Sequence, residues 1–194
     1  MKKDVEQTVY TSDDGSLPVS DRPVRYCINA FLEKTLKPDD ELKVLLLVKK
    51  SDYSFYEQNV QNFIDELKES NNCGAKTDFV TIDTDFSEDR SVHEQLMSRI
   101  VDEIDPETHV LADITYGPKD LAIVVFAALN FAEKFLRCEI DNIVYGRADF
   151  DDGRVLNTKI CDMIPLYALS SVTNAVYSVG PEKAKQMLKN LLSI

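Results

Sequence analysis

The run Leu42–Val48, LKVLLLV, constrains the fold more than any other part of the chain. It is too short for a self-burying helix, and its near-continuous apolar character suits a parallel strand covered on both faces. Parallel strands need long crossovers, usually helical, and the flanking sequence supplies them. Ser54–Ser70 carries Val60, Phe63, Ile64 and Leu67 on one side of a helix, and Asn71-Asn72-Cys73-Gly74 closes it. Ala75–Ile82 reads as the next strand. A helix capped by Ser87 follows and stops at Asp105-Pro106.

His109–Ile114 (HVLADI) is a further strand, and Thr115-Tyr116-Gly117-Pro118 turns the chain into a helix reaching Leu136. That helix is apolar nearly all round, which predicts burial. Glu139–Tyr145 and Val155–Cys161 read as strands joined by a hairpin turn at Asp151-Asp152-Gly153. Leu166–Val176 and Pro181–Leu192 read as terminal helices. At the front, Asp4–Thr11 is a weak strand and Ser12–Ser16 a loop. A helix then runs to Leu36, with Asp21 as N-cap and Pro23 in its first turn. The expectation is one α/β domain over residues 1–194: an open, mostly parallel six-stranded sheet, helices on both faces, and a C-terminal antiparallel hairpin.

Charge narrows the partners. Thirty-four acidic against 22 basic residues give a formal charge of −12. Such a surface repels long nucleic acid, whose binding depends on phosphate neutralisation. A small anion held by local amides and one or two cations is compatible with it. The longest uncharged, mostly apolar run, Leu121–Ala132, has twelve residues and includes Asn130, too short to span a bilayer. No basic-then-apolar leader opens the chain, and the reading is a cytoplasmic protein without membrane attachment. Cys27, Cys73, Cys138 and Cys161 form no CxxC pair and read as reduced thiols.

Several chemistries find no motif. GxGxxG, GxxxxGK[ST] and GxSxG are all absent. His93 and His109 lack an arginine five residues earlier and read as structural or solvated. Two ExK triplets, Glu41-Leu42-Lys43 and Glu66-Leu67-Lys68, have no suitably spaced PD partner. Asp83 and Asp85, like Asp149, Asp151 and Asp152, read as acidic turns, and no metal or cofactor is expected.

Ligands on open α/β sheets bind beyond the carboxyl ends of the strands. That rule selects the loops Thr11–Ser16, Lys49–Tyr53, Thr115–Asp120 and Gly146–Asp149. The most informative is Asp113-Ile114-Thr115-Tyr116-Gly117-Pro118-Lys119-Asp120. Gly117 permits a positive φ. The amides of Lys119, Asp120 and Leu121 fall in a first helical turn without intrahelical acceptors. The helix dipole and the Lys119 ammonium add positive charge, making a phosphate-type anion site. Lys50, Ser51 and Arg147 sit at the same end of the expected sheet.

The segment Asp113-Ile-Thr-Tyr-Gly-Pro-Lys119, followed by the apolar helix Leu121–Phe135, resembles the D-I-T-x-G-x-[KR] segment of CRISPR-associated Rossmann-fold (CARF) domains, the sensors of type III CRISPR ancillary proteins. The likeness extends to Asn142-Ile-Val-Tyr-Gly146 and to Thr158-Lys-Ile-Cys-Asp162-Met-Ile-Pro165-Leu. Arg22-Pro-Val-Arg-Tyr26 and Leu42–Val48 fit it as well. The resemblance implies a Rossmann-like fold and a homodimer that binds cyclic tetra- or hexa-adenylate across its two-fold axis in antiviral signalling. A ring of four or six identical nucleotides contains such an axis, so a symmetric dimer offers each half-ring the same site.

By position, the resemblance implies ligand contacts from Thr115, Tyr116, Gly117, Pro118 and Lys119, beside the first-turn amide of Asp120. It adds Thr11, Ser12 and Asp13 from the first loop, with Lys50 and Ser51 closing the pocket, and the sheet-end rule places Arg147 beside them. Many members of this kind carry an effector domain after the sensor, and no effector motif follows here. The chain therefore reads as a stand-alone sensor or a piece of a longer protein. As a ring nuclease, it would use the ribose 2′-hydroxyl as nucleophile, with Lys119 clamping phosphate and Ser12 or Thr11 orienting the hydroxyl. A third reading is a non-catalytic oligomerisation module.

Overall fold

The computed structural model describes residues 5–49, 54–85, 89–151, 154–175 and 180–192. The chain divides into two compact units, Met1–Asp162 and Met163–Ile194. The first unit contains β1 (Thr11–Ser12), α1 (Cys27–Thr35), β2 (Glu41–Lys49), α2 (Ser54–Ser70), β3 (Lys76–Thr84), α3 (Arg90–Asp102), β4 (His109–Asp113), α4 (Lys119–Phe131), β5 (Glu139–Asp151) and β6 (Arg154–Asp162). A π-helical turn, Ala132–Leu136, extends α4. The second unit holds α5 (Ile164–Ala175) and α6 (Pro181–Leu192). No helix among the described residues is long and apolar enough to cross a membrane.

The α/β class holds, with a different pairing. Four strands form a mixed sheet in the order β1-β6-β5-β4, and β2 and β3 form a separate parallel pair. β5 and β6 are antiparallel, as the hairpin pattern predicts, although Asp152 and Gly153 lie outside the described residues. β4 runs parallel to β5, and the two residues of β1 lie parallel to the outer edge of β6. The backbone therefore pairs as four strands plus two, where six in one sheet are expected. LKVLLLV is a strand, but Val44–Val48 are only half-buried. Among the described residues its backbone partner is β3, which covers one edge, and side-chain packing ties the pair to the rest. Leu45, Leu47 and Ile82 meet Leu96 and Ile100 of α3 and Leu121, Val124 and Ala128 of α4 in one apolar cluster.

A second cluster gathers Tyr10, Leu17, Val24, Cys27, Ala30, Phe31, Val144 and Ile160, where α1 and the chain before it pack on β5 and β6. Here a sequence expectation fails. The helix begins at Cys27 rather than near Asp21, because Val24 bridges Thr8 in extended conformation. The capping group comes from α2. Both carboxylate oxygens of the buried Glu66 are used, Oε2 by the amide of Arg25 at 2.7 Å and Oε1 by the amide of Tyr26 at 3.0 Å. Asn29 Nδ2 donates to Oε1 at 3.0 Å. A buried carboxylate is tolerated only with such partners, and its charge suits the positive end of α1.

Candidate functional site

The loop from Asp113 to Lys119 is built by partners distant in sequence. Asp113 Oδ1 accepts the Thr115 amide at 2.8 Å, closing a tight turn at the end of β4. Its Oδ2 lies 3.7 Å from the thiol of Cys27, the first residue of α1. Thr115 Oγ1 accepts the Gly146 amide at 2.7 Å and lies 3.2 Å from Cys27 Sγ. Gly146 permits this approach: a Cβ there would stand 2.9 Å from Cys27 Sγ and 3.1 Å from Thr115 Cγ2. The Tyr116 hydroxyl donates to the carbonyl of Arg25 at 3.1 Å, and Tyr10 reaches the same oxygen at 3.3 Å. The Tyr116 ring meets Tyr26 edge-on, with centroids 5.8 Å apart.

The two tyrosine hydroxyls and the Cys27 thiol keep their protons. Burial, reinforced by the neighbouring Cys27, pushes the Tyr10 hydroxyl up to about 12, and burial raises Tyr116 further. Desolvation also raises the Cys27 thiol, with Asp113 adding to it. Asp113 itself is raised by desolvation, since its carboxyl is surrounded by protein although the residue keeps some surface. Thr115 and Tyr116 thus turn their hydroxyls inward, where they hold the loop.

The turn that remains outward is Gly117–Pro118–Lys119. Gly117 has φ +110°, a region side chains rarely adopt, and a Cβ there would meet Leu121 Cδ2 at 2.5 Å. Pro118 stands at the N-cap of α4, and no side chain among the described residues caps that end. The Leu121 amide turns back to the Pro118 carbonyl at 3.1 Å, so the open donors are those of Lys119 and Asp120. Lys119 is exposed and has no ion-pair or hydrogen-bond partner among the described residues. The neighbouring Asp120 is occupied: its Oδ2 lies 2.6 Å from Nε2 of His93 on α3. His93 is therefore part of the neighbourhood, although its spacing reads as structural.

The first loop joins the same end of the sheet. Ser12, Ile160 and Gly146 form a row across β1, β6 and β5, and Thr115 binds the end of that row. Ser12 Oγ accepts the Leu17 amide at 3.1 Å, and Thr11 Oγ1 donates weakly to the Thr158 carbonyl at 3.4 Å. In the adjacent row Thr11, Lys159 and Arg147 are register partners. Lys159 pairs with Asp13 at 2.9 Å and Arg147 with Asp149 at 3.1 Å, so both cations are neutralised. Lys159 goes unnoticed in the sequence because a register shift between Asp149 and Phe150 decides what faces Arg147. Lys50 and Ser51 lie outside the described residues.

A surface hollow of about 260 Å³, lined by Gln7, Arg22, Pro23, Glu66 and Glu69, shares none of these residues. Comparison with models of known families finds none that matches the chain, and no curated protein matches it either.

Proposed function

We propose that this chain binds a cyclic oligoadenylate as a homodimer, as a sensor in type III CRISPR signalling within the cytoplasm. The observation that carries the reading is the unpaired Lys119 ammonium at an uncapped helix start, in a chain of formal charge −12. A cation left free among so many carboxylates is suited to a ligand phosphate, and the open amides beside it point the same way. On this reading the four-stranded sheet and the β2–β3 pair are two parts of one Rossmann-like layer. The partner copy has a surface available. Ile123 and Phe135, 71% and 69% exposed, lie with Ala127 and the half-buried Phe131 at four-residue spacing along α4 and its π-helical extension. Pairing two such stripes about a two-fold axis would set both Lys119 turns on one ring.

Titration with cyclic tetra- and hexa-adenylate, with Lys119→Ala as the comparison, tests the reading. Binding by the native chain and an affinity loss of tenfold or more in the variant support it. No thermal shift of the native chain with either ring defeats it, and leaves the oligomerisation module.

A second reading, a ring nuclease, draws on the His93–Asp120 pair beside Lys119. In that reaction the ribose 2′-oxygen attacks the adjacent phosphorus, the P–O5′ bond breaks, and a 2′,3′-cyclic phosphate forms. The 2′-hydroxyl gives up its proton to water and the departing O5′ takes one. An imidazole held by a carboxylate is suited to that second transfer. Ser12 accepts the Leu17 amide and gives its own proton to Asp14 Oδ1 at a long 3.5 Å, a bond it would exchange to orient the ribose. Incubating the rings with the chain and following products by chromatography separates cleavage from binding.

A further inference from the structure

We propose a divalent transition-metal site at His109, Glu139 and Asp141, at the opposite ends of β4 and β5 from the Lys119 turn. His109 opens β4 and Glu139 opens β5, and the two are register partners. Asp141 follows two residues later on β5, where the register shifts between Val110 and Leu111. Such an irregularity re-aims side chains. Here it leaves both Asp141 carboxylate oxygens 3.1 Å from His109 Nδ1. Glu139 Oε2 lies 3.7 Å from the same nitrogen. One ligand atom from each residue falls within a 4.8 Å group.

These spacings match a coordination shell. Ligands on a tetrahedral zinc at bond lengths of 2.0–2.1 Å stand about 3.4 Å apart. Nδ1 and the carboxylate oxygens already bracket that distance, so an ion needs only small side-chain adjustments. The nitrogen donor sets the class of ion: imidazole with carboxylate favours Zn(II), Co(II) or Ni(II), whereas Mg(II) and Ca(II) prefer all-oxygen shells. All three side chains are exposed, so entry is open and water can complete the shell. Two carboxylates with a neutral imidazole balance the dication. The bound ion would clip the starts of β4 and β5 together. This inference does not depend on the ligand reading above.

The test is Zn(II) titration of the full chain in metal-free buffer against a chromophoric chelator, with His109→Ala and Asp141→Asn as comparisons. Circular dichroism checks that each variant is folded, as their exposure leads one to expect. One zinc per chain, weakened tenfold or more in both variants, supports the site, as does a zinc-dependent rise in melting temperature absent from them. Equal affinity in native chain and variants overturns it, as does no binding by the native chain. Co(II) absorption provides a second criterion. A spectrum free of thiolate-to-metal charge transfer agrees with these ligands, and thiolate bands assign the metal to cysteine and overturn the site.

Discussion

The hydroxyl oxygen of Thr115 accepts the amide proton of Gly146 at 2.7 Å, fastening the loop before α4 to the middle of β5. The contact is possible because Gly146 has no side chain and Cys27 fills the space a Cβ would need. Loop position, helix start and strand are thereby one packed unit.

Gly146→Ala tests that unit. A methyl group 2.9 Å from Sγ of a fully buried cysteine overpacks the core, since β5 and α1 cannot separate freely. Overpacking of this size costs about 1–3 kcal/mol. Urea denaturation is expected to show a lower midpoint at unchanged slope. A midpoint equal to the native chain would mean that the packing at Cys27 is slack.

Asp113→Asn reports on the carboxyl under the loop. Desolvation raises this group above its unfolded value, so on acidification the folded chain takes up the proton first. Stability therefore falls as pH rises from the unfolded value through the folded one, and the penalty is constant above that. Asparagine keeps an oxygen for the Thr115 amide and carries no charge. The variant is expected to be more stable than the native chain at neutral pH, by about 1.4 kcal/mol for each unit of upward displacement. The difference should vanish by about pH 4. Urea curves for both proteins across pH 4–8 measure it, and a gap that stays constant with pH contradicts the assignment.

Glu66→Gln tests the cap of α1. Glu66 is 4% exposed, and its two oxygens accept from Arg25, Tyr26 and Asn29. Glutamine replaces one oxygen with an NH₂ group that faces donors. Loss of a charge-assisted bond and the new donor–donor contact are expected to cost about 2–3 kcal/mol. The loss should appear in chemical denaturation at pH 7. Because Arg25 also receives Tyr116, its effect should extend to the loop, as faster amide exchange at Tyr116 and Gly117.

What the sequence makes legible follows from the range of the forces involved. α2 and α6 span the residues their patterns indicate, Ser54–Ser70 and Pro181–Leu192, because apolar period and local stop signals decide them. α1 starts at Cys27 because its cap is 40 residues from Tyr26, where Asp21 and Pro23 offer only a local alternative. LKVLLLV reads correctly as a strand but not as a fully covered one, since coverage depends on which strands become neighbours. At the site, spacing locates the turn and its lysine. It does not tell which hydroxyls turn inward, because the partners of Thr115 and Tyr116 lie 31 and 91 residues away. His93 meets Asp120 across 27 residues, between two helices whose packing no periodicity specifies.

That last pair supports the prediction that separates binding from turnover. Asp120 is the one carboxylate in the first turn of α4, and unpaired it would repel an anion arriving at Lys119. His93 Nε2, 2.6 Å from Asp120 Oδ2, answers part of that charge, and both side chains remain about one-third exposed to a ligand. If the imidazole only shields the turn, His93→Gln should weaken ring binding several-fold and leave the ring intact in native chain and variant alike. If it also gives a proton to the departing O5′, the variant should lose about 10²-fold or more in single-turnover cleavage at saturating protein. Asp120→Asn distinguishes the roles further: it removes the repelling charge, so it should tighten binding even where it slows cleavage by freeing the ring of His93 from its orientation. A His93→Gln chain with native affinity and native single-turnover behaviour would leave the pair as no more than a bridge between α3 and α4.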